Sequence, residues 1–224
     1  MAQIDHVFVM VASLEAAAHK LTEQGLRETY RRQHPGQGTE NVCFAFDNLF
    51  LELLTVNDPT DAQSPLIKRT GLYARSQWET KPTCPFGIAW REQKDTPNVS
   101  APTWPFCPPY LPAGLSVPVL TSSDDPHEPF LFQGIGSTAP KDWPAERRGN
   151  LQHRAGLYDV TAMTLSLPKS ITASEGLRSF ATATDLTIHT NTDEKYGMQL
   201  QISDANGKSS AQLKLPACEL VSCD

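Results

Sequence analysis

The sequence predicts an α+β protein made of repeated βαβββ modules, whose strands form a curled, cup-like mixed sheet with helices packed outside it. Three observations predict this fold. The first 56 residues follow the order β, α, β, β, β, and the chain follows it again from about Tyr158. Between these regions, the stretch from Pro82 to Pro144 is rich in proline and keeps strand character without a helical pattern. Because one such module cannot close a sheet, we expect modules to pair around a shared core.

The first module has the clearest elements. The β-branched and aromatic residues from Ile4 to Met10 predict its first strand. Ser13 is a suitable N-cap for the helix that follows, and Gly25 stands where a glycine ends a helix. Short strands are then predicted over 26–32, 42–46 and 49–56, with a glycine-containing turn over 34–38 between the first two.

The remainder divides into three parts that complete one compact unit. Residues 57–81 form a connector, whose middle is predicted as a short helix capped by Ser64. Residues 82–150 form a degenerate second module, with strands over 85–90, 114–120 and 128–133. Residues 151–224 form a third βαβββ module. Its strand over 159–167 is followed by a helix to about Ala183 and by strands over 186–189, 198–202 and 211–215.

Composition and charge exclude several classes of function. The 224 residues carry a formal charge of −6 and no dense Lys/Arg run, so nucleic acid and anionic membranes are poor partners. No apolar run approaches the ~18 residues that span a bilayer, and the N-terminus lacks the basic start of a signal peptide. We therefore expect a cytoplasmic protein. Five cysteines without a CxxC pair predict neither a disulfide framework nor a zinc knuckle.

His6 and Glu52 are the residues most suggestive of chemistry. His6 begins the first strand, and Glu52 interrupts the apolar strand Phe50-Leu51-Glu52-Leu53-Leu54. An unpaired buried carboxylate is costly, so Glu52 needs a partner, which a metal or a nearby Arg or Tyr would supply. A histidine nitrogen and a glutamate oxygen suit zinc, nickel, manganese or ferrous iron.

Gln133 is the third candidate metal ligand, because it holds a comparable place in a later strand. His6 and Glu52 are 46 residues apart, and the same distance back from Gln133 reaches Gly87, which has no side chain to ligate a metal. A site with two or three protein ligands leaves positions open for water and substrate.

Two further residues are candidates for the wall of a binding site. His34 is a candidate acid or base near neutral pH, and its alternative role is a turn residue fixed by Pro35. Trp90 is a candidate for an apolar pocket wall that binds substrate.

Three segments resemble the glyoxalase-like domain family of the vicinal-oxygen-chelate superfamily, which includes glyoxalases, bleomycin-resistance proteins and dioxygenases. The strand Ile4-Asp5-His6-Val7-Phe8-Val9 resembles the superfamily's opening strand. The loop His34-Pro35-Gly36-Gln37-Gly38-Thr39-Glu40-Asn41, followed by Phe50-Leu51-Glu52-Leu53, is similar to the family's more specific signature. The resemblance implies that His6 and Glu52 stand at metal-ligand positions, that Glu52 or a metal-bound water serves as base, and that Asn41 contacts substrate.

The resemblance leads to three hypotheses about function. The first is a metal-dependent lyase or isomerase that stabilises an enediolate of a small substrate, with dioxygenase chemistry also known in the superfamily. The second is a metal-free, bleomycin-resistance-like protein that binds a small molecule without chemistry, which the loss of ligands in the second half favours. The third is a subunit that only binds a partner protein. Relatives in the superfamily often dimerise, which suggests a homodimer.

Overall fold

Two β-sheets form the framework of the protein. The computed structural model describes residues 1–92, 99–136 and 138–223, apart from the side chain of Arg147. The strands of the first sheet, in chain order, are β1 (Gln3–Met10), β2 (Tyr30–His34), β3 (Thr39–Ala45), β4 (Phe50–Val56), β5 (Phe86–Arg91), β6 (Thr103–Phe106), β7 (Val117–Leu120) and β8 (Phe130–Gln133). Those of the second are β9 (Val160–Leu167), β10 (Leu186–Thr190), β11 (Gly197–Ser203), β12 (Ser209–Leu215) and β13 (Glu219–Ser222).

The helices are few and short. In chain order they are α1 (Leu14–Glu23), α2 (Pro59–Ala62), α3 (Leu72–Arg75), α4 (Ala145–Arg148) and α5 (Glu175–Thr184). None of the helices formed by the described residues has the length and apolar character that crossing a bilayer requires.

The eight-stranded sheet consists of two halves with the same strand pairing. Its order is β2-β3-β4-β1-β5-β8-β7-β6. In each half the first strand pairs in parallel with the last, β1 with β4 and β5 with β8, and the remaining pairs are antiparallel. The halves join through the antiparallel pair β1–β5. The predicted fold class, a mixed α+β sheet of paired modules, is confirmed.

Helix α1 forms for the reasons that the sequence suggested. The Ser13 hydroxyl accepts a hydrogen bond from the Ala16 backbone N–H at 3.3 Å, which caps the first turn. Leu14, Ala18 and Leu21 lie on one face and are buried against the sheet. Gly25 follows with φ +94°, a conformation that favours glycine.

The connector forms short turns instead of one helix. Asp58 caps α2, and Gly71, at φ +66°, separates a 3₁₀ turn from α3. At the end of α3, the fully buried guanidinium of Arg75 donates to the backbone carbonyls of Ser123 at 2.9 Å and Pro126 at 3.2 Å. Arg75 thereby attaches the connector to the chain that leads into β8.

Residues 151–223, called the third unit below, cover the second half of the first sheet. Between β5 and β6, residues 92 and 99–102, the described part of this link, form no helix. Instead Phe180 of α5 packs against Trp90 of β5, with ring centroids 5.7 Å apart. Ser174, the N-cap of α5, donates its hydroxyl to buried Glu128 at 2.7 Å. An apolar strand needs cover on both faces, and α5 supplies it for β5.

The third unit does not repeat the strand pairing of the first two. Its order is β10-β9-β11-β12-β13, and β9 pairs in parallel with β10, the strand directly after α5. In the first module the parallel partner is the last strand instead. The predicted order of strand, helix and three strands is found, and a further strand, β13, follows them. Sequence patterns indicate where strands lie and not which strand each one pairs with.

The two faces of the first sheet have different neighbours. Its outer face packs in one continuous core with α1, α5 and the second sheet. Its inner face lies over a separate cluster that includes Phe8, Met10 and Leu54 together with Ile67 and Leu72 of the connector. This cluster forms the floor of the cup.

Gly87 permits the close packing at the join between the halves. A Cβ at this position would overlap the ring of Phe8, the partner of Gly87 across β1 and β5.

Gly87→Ala should therefore lower the free energy of unfolding by about 2 kcal/mol in urea titrations, because the overlap forces Phe8 or the backbone to move. Gly197→Ala is the matched control, since its added Cβ meets nothing closer than 3.5 Å in β11. Equal stability of the two variants would contradict this account.

Candidate functional site

A cavity of about 240 Å³ lies inside the cup, between the two halves of the first sheet. Its two walls differ in character. Strands β1 to β4 contribute polar side chains, namely Asp5, His6, Arg32, His34, Asn41 and Glu52. Strands β6 to β8 contribute mainly apolar ones, namely Phe106, Val117, Phe130 and Phe132, together with Gln133 at the end of β8. The cavity is therefore suited to a small amphipathic molecule.

Strand register assembles the polar wall from residues distant in sequence. Arg32 of β2 is paired with Asn41 of β3, and residues paired across strands lie on the same face. Glu52 of β4 is paired with Cys43, two residues after Asn41. On the other side of β4, His6 is paired with Phe50. The polar wall thus runs across four adjacent strands.

His6 lies between two carboxylates. Its Nδ1 is 2.7 Å from Asp5 Oδ2, and its Nε2 is 3.6 Å from Glu52 Oε2. The ring stacks on Phe50, with centroids 4.3 Å apart. A register shift between Ile4 and His6 breaks the strict alternation of β1 and places Asp5 beside its neighbour. His6 and Glu52, predicted as partners from sequence, are therefore adjacent.

The ionisation of Asp5 fixes the orientation of His6. Burial acts to raise the pKa of Asp5, but hydrogen bonding and charge from His6, together with the Arg91 guanidinium 3.1 Å away, lower the pKa below its usual value. An ionised carboxylate only accepts hydrogen bonds, so His6 Nδ1 carries the proton. In the neutral ring, Nε2 is then an acceptor directed toward Glu52.

Asn41 orients Glu52 and keeps one atom free. Its side-chain nitrogen donates to Glu52 Oε1 at 2.5 Å, and both residues are at most 7% exposed. Reversing the amide would place two oxygens together, so this orientation is the favourable one. Asn41 Oδ1 is buried and has no hydrogen-bond partner among the described residues.

His34 lies at the mouth of the cavity in a network with the predicted turn. Its Nδ1 is 2.9 Å from Thr39 Oγ1, which also accepts from Gln37 at 2.8 Å. Burial lowers the pKa of His34, the negative charge of Glu52 opposes this, and the positive charge of Arg32 adds to the lowering. His34 is therefore neutral at physiological pH.

Tyr110 closes the mouth from the second half. Its ring lies 5.1 Å from that of His34, and the Arg32 guanidinium carbon is 5.0 Å from the Tyr110 ring centroid. Burial raises the pKa of Tyr110 to about 12, so its hydroxyl stays protonated. Tyr110 is consequently a hydrogen-bond donor at neutral pH.

The second half offers no counterpart to the ligand pair His6 and Glu52. Gly87 pairs with Phe130, the first residue of β8, as His6 pairs with Phe50, the first residue of β4. Glu52 is two residues after Phe50, and the corresponding residue two after Phe130 is Phe132. The Phe132 ring lies 5.3 Å from that of His6. Counting along the sequence had placed the counterpart one residue too far, at Gln133.

The donor set does not fit a bound metal. Gln133 lines the cavity at the end of β8, where it pairs with Trp90, and is not at the position of Glu52. Within residues 1–92, 99–136 and 138–223, no three His, Cys, Asp or Glu side chains are grouped as metal ligands. A catalytic metal site usually has three protein ligands, and here His6 and Glu52 supply two.

Trp90 lies outside the cavity, contrary to prediction. Alternation along β5 turns its side chain to the outer face, where it is 2% exposed in the main core. The sequence interpretation also missed four residues that the cavity includes or depends on: Asp5, Arg32, Arg91 and Phe132. Only the adjacency of Asp5 to His6 was visible in the sequence.

Asp5→Asn tests the buried charges at this site. The variant leaves Arg91 buried without its carboxylate, so we expect a loss of about 3 kcal/mol in the free energy of unfolding. Because folding lowers the pKa of Asp5, its contribution is complete above the unfolded value of about 3.8 and is lost as the pH falls through the folded value. Urea titrations should therefore show a gap that is constant above pH 4 and narrows below it.

Asp124→Asn is the control for this experiment. Asp124 pairs with Arg69 in an exposed ion pair, so its loss should change stability by less than about 0.5 kcal/mol. An Asp5→Asn variant no less stable than this control would contradict the assigned role.

Comparison with known proteins supports the sequence resemblance. Residues 4–75 match a family model described as Glyoxalase-like domain. No curated protein matches the sequence. A hypothetical protein from Staphylococcus aureus of known structure aligns over 98% of this chain and 97% of its own, with a TM-score of 0.56 and 12% identity. This likeness extends over both sheets and concerns the fold alone.

Two further solved structures align with a shorter part of this chain. Streptomyces coelicolor methylmalonyl-CoA epimerase, solved with 2-nitronate-propionyl-CoA, covers 62% of this chain with 99% of its own, at a TM-score of 0.41 and 14% identity. A hypothetical protein from Bacillus halodurans covers 61% with 97% of its own, at 0.39 and 13%. The family match includes His6, His34, Asn41 and Glu52, so residues 4–75 are similar to the glyoxalase-like domain family.

Proposed function

We propose that the protein is an enzyme that binds a small molecule in the cup and catalyses a proton transfer of the lyase or isomerase type, with His6 and Glu52 as the acid–base pair. One observation carries this proposal. His6 Nε2 and Glu52 Oε2 are 3.6 Å apart at the cavity, and both are acceptors when His6 is neutral and Glu52 ionised. A proton taken from a bound molecule can therefore be held between the two side chains.

The surrounding groups suit this chemistry. When His6 Nε2 takes a proton from a substrate carbon or oxygen, the ring becomes an imidazolium between the carboxylates of Asp5 and Glu52. Both carboxylates stabilise that charge, and a cavity with an apolar wall strengthens the effect. Return of the proton to a neighbouring atom completes an isomerisation, whereas its transfer to a departing group completes an elimination.

No step of this proposal passes through a metal. The positions that pair with the first module's ligands are Gly87 and Phe132, and neither has a donor side chain. His6 Nδ1 is occupied by Asp5, and Asn41 occupies Glu52 Oε1. The superfamily's metal-dependent reactions, dioxygenase chemistry included, therefore have no support from these residues.

A second candidate function is binding without chemistry. The wall of Phe106, Phe130 and Phe132 favours it, because an aromatic wall holds an apolar ligand without any acid or base. Binding without proton exchange would identify this function.

Exchange of substrate hydrogen with solvent tests the proposed acid–base pair. Small carbonyl compounds and hydroxy acids would be incubated in D₂O with the protein and followed by ¹H NMR for loss of the exchangeable C–H signal. We expect exchange with the wild type, and a rate at least about 100-fold lower in Glu52→Gln and His6→Asn, since each lacks one acceptor.

The control for this assay is Glu40→Gln. Glu40 is on β3, but it lies outside the cavity and its carboxylate contacts Gln33. This variant should retain the wild-type rate. Wild-type exchange in Glu52→Gln would refute the acid–base pair, and tight binding without exchange in the wild type would establish the binding function instead.

Metal removal is a separate test. Because the described residues form no group of three His, Cys, Asp or Glu that could hold a metal, exchange should be unchanged after dialysis against EDTA and should not rise when zinc, nickel, manganese or ferrous iron is added. Elemental analysis would follow bound metal in the wild type and in His6→Ala. Stoichiometric metal that disappears in the variant, with activity restored by one metal, would overturn this expectation.

A further inference from the structure

The polar wall contains a cation, Arg32, that contacts the Tyr110 ring but has no carboxylate partner among the described residues. Arg32 lines the cavity and forms no ion pair with any described residue, whereas its neighbour Arg31 pairs with Glu15 and Glu28 on the other side of the strand. We propose that the cup binds a small carboxylic acid, with its carboxylate on Arg32 and a neighbouring hydroxyl or N–H group on Asn41. This proposal rests on the proposed function, because it names the substrate class of the same site.

Arg32 is well placed to bind a carboxylate. Among the described residues that line the cavity, Arg32 supplies the only Lys or Arg head group. Tyr110, 5.0 Å away, keeps its hydroxyl proton and adds a neutral donor at the mouth. A guanidinium matches the planar, two-oxygen geometry of a carboxylate better than other cations do.

The negative charges of the cup weaken this attraction but do not cancel it. Arg32 is on β2 and Glu52 on β4, and β3 lies between them, which separates their backbones by about 10 Å. A carboxylate in contact with Arg32 at about 4 Å is attracted more strongly than Glu52 repels it, since Coulomb energy falls with distance. Asp5 is further compensated by Arg91 and His6.

Asn41 specifies the group next to the carboxylate. Asn41 is 5% exposed. Its Oδ1 is buried, has no hydrogen-bond partner among the described residues and needs a donor. Arg32 and Asn41 are paired across β2 and β3, so their Cβ atoms are about 5 Å apart. Groups bound to both must be close together on the ligand, as in a 2-hydroxy acid.

The opposite wall specifies the remainder of the ligand. Phe106, Phe130 and Phe132 face the polar wall across a cavity of about 240 Å³. An aromatic or branched apolar body fills that space, and its removal from water favours binding. The structure therefore points to a small aromatic 2-hydroxy acid or a close analogue.

Three probe compounds separate the parts of this assignment. Mandelate has the carboxylate, the hydroxyl and the ring, its methyl ester lacks the charge, and phenylacetate lacks the hydroxyl. In isothermal titration calorimetry we expect mandelate to bind at least about tenfold more tightly than the ester and several-fold more tightly than phenylacetate.

Two arginine variants test whether Arg32 binds the carboxylate of the ligand. Arg32→Gln should weaken mandelate binding about tenfold and leave binding of the ester nearly unchanged. Arg31→Gln, which removes the neighbouring arginine outside the cavity, should leave all three affinities unchanged. Ester binding as tight as acid binding, equal losses in the two variants, or no binding of any probe by the wild type would each overturn the proposal.

These experiments distinguish a failure of the proposed substrate class from a failure of the proposed reaction. Mandelate bound through Arg32 without hydrogen exchange in any compound supports the substrate class and overturns the proposed reaction. Exchange that depends on Glu52, with mandelate affinity indifferent to Arg32→Gln, supports the reaction and overturns the substrate class.

Discussion

The cup depends on the antiparallel pairing of β1 with β5, which joins the two halves of the first sheet. At this join Phe8 packs on Gly87, and the buried Asp5 of β1 bonds to Arg91 of β5. The same Asp5 carboxylate holds His6. One short length of strand therefore unites the halves, excludes a side chain at position 87 and orients the ring that we assign to catalysis.

The two halves contribute unequally to the cavity. The first keeps His6, Asn41 and Glu52 in a continuous polar wall. In the second, the positions that correspond to His6 and Glu52 are Gly87 and Phe132, and the Phe132 ring packs against His6. A symmetric arrangement would surround a metal with four ligands. The asymmetric one instead faces an acid–base pair with an apolar surface.

Local signals made the first module predictable. The Ser13 cap, Gly25 and the apolar strand patterns act within a few residues, and they predicted α1, β1 and β4 correctly, whereas β2, predicted over 26–32, lies over Tyr30–His34. His6 and Glu52 were recognisable because a histidine and a carboxylate within apolar strands need partners. Features that depend on pairing were not predictable in this way. His6 and its partner Phe50 are 44 residues apart in sequence, but Gly87 and its partner Phe130 are 43 apart. A sequence separation copied from the first half therefore predicts Gln133 instead of Phe132 as the counterpart of Glu52.

The same limitation explains the other errors. Trp90 turns to the core because α5, 85 or more residues later in sequence, packs on the outer face of β5. The parallel pairing of β9 with β10 likewise follows from tertiary packing and not from the pattern of either strand. Asp5 reaches His6 only through the register shift at Ile4, which the sequence does not mark.

The position of the ring proton on His6 tests the central claim most directly. Long-range ¹H–¹⁵N correlation spectra of the histidine rings, assigned with His6→Asn, report which nitrogen carries hydrogen. We predict a proton on Nδ1, bonded to Asp5, whether the ring is neutral or charged. A bare Nδ1 with the proton on Nε2 would mean that Asp5 does not orient the ring and that Nε2 is not available as the base, which would contradict the account.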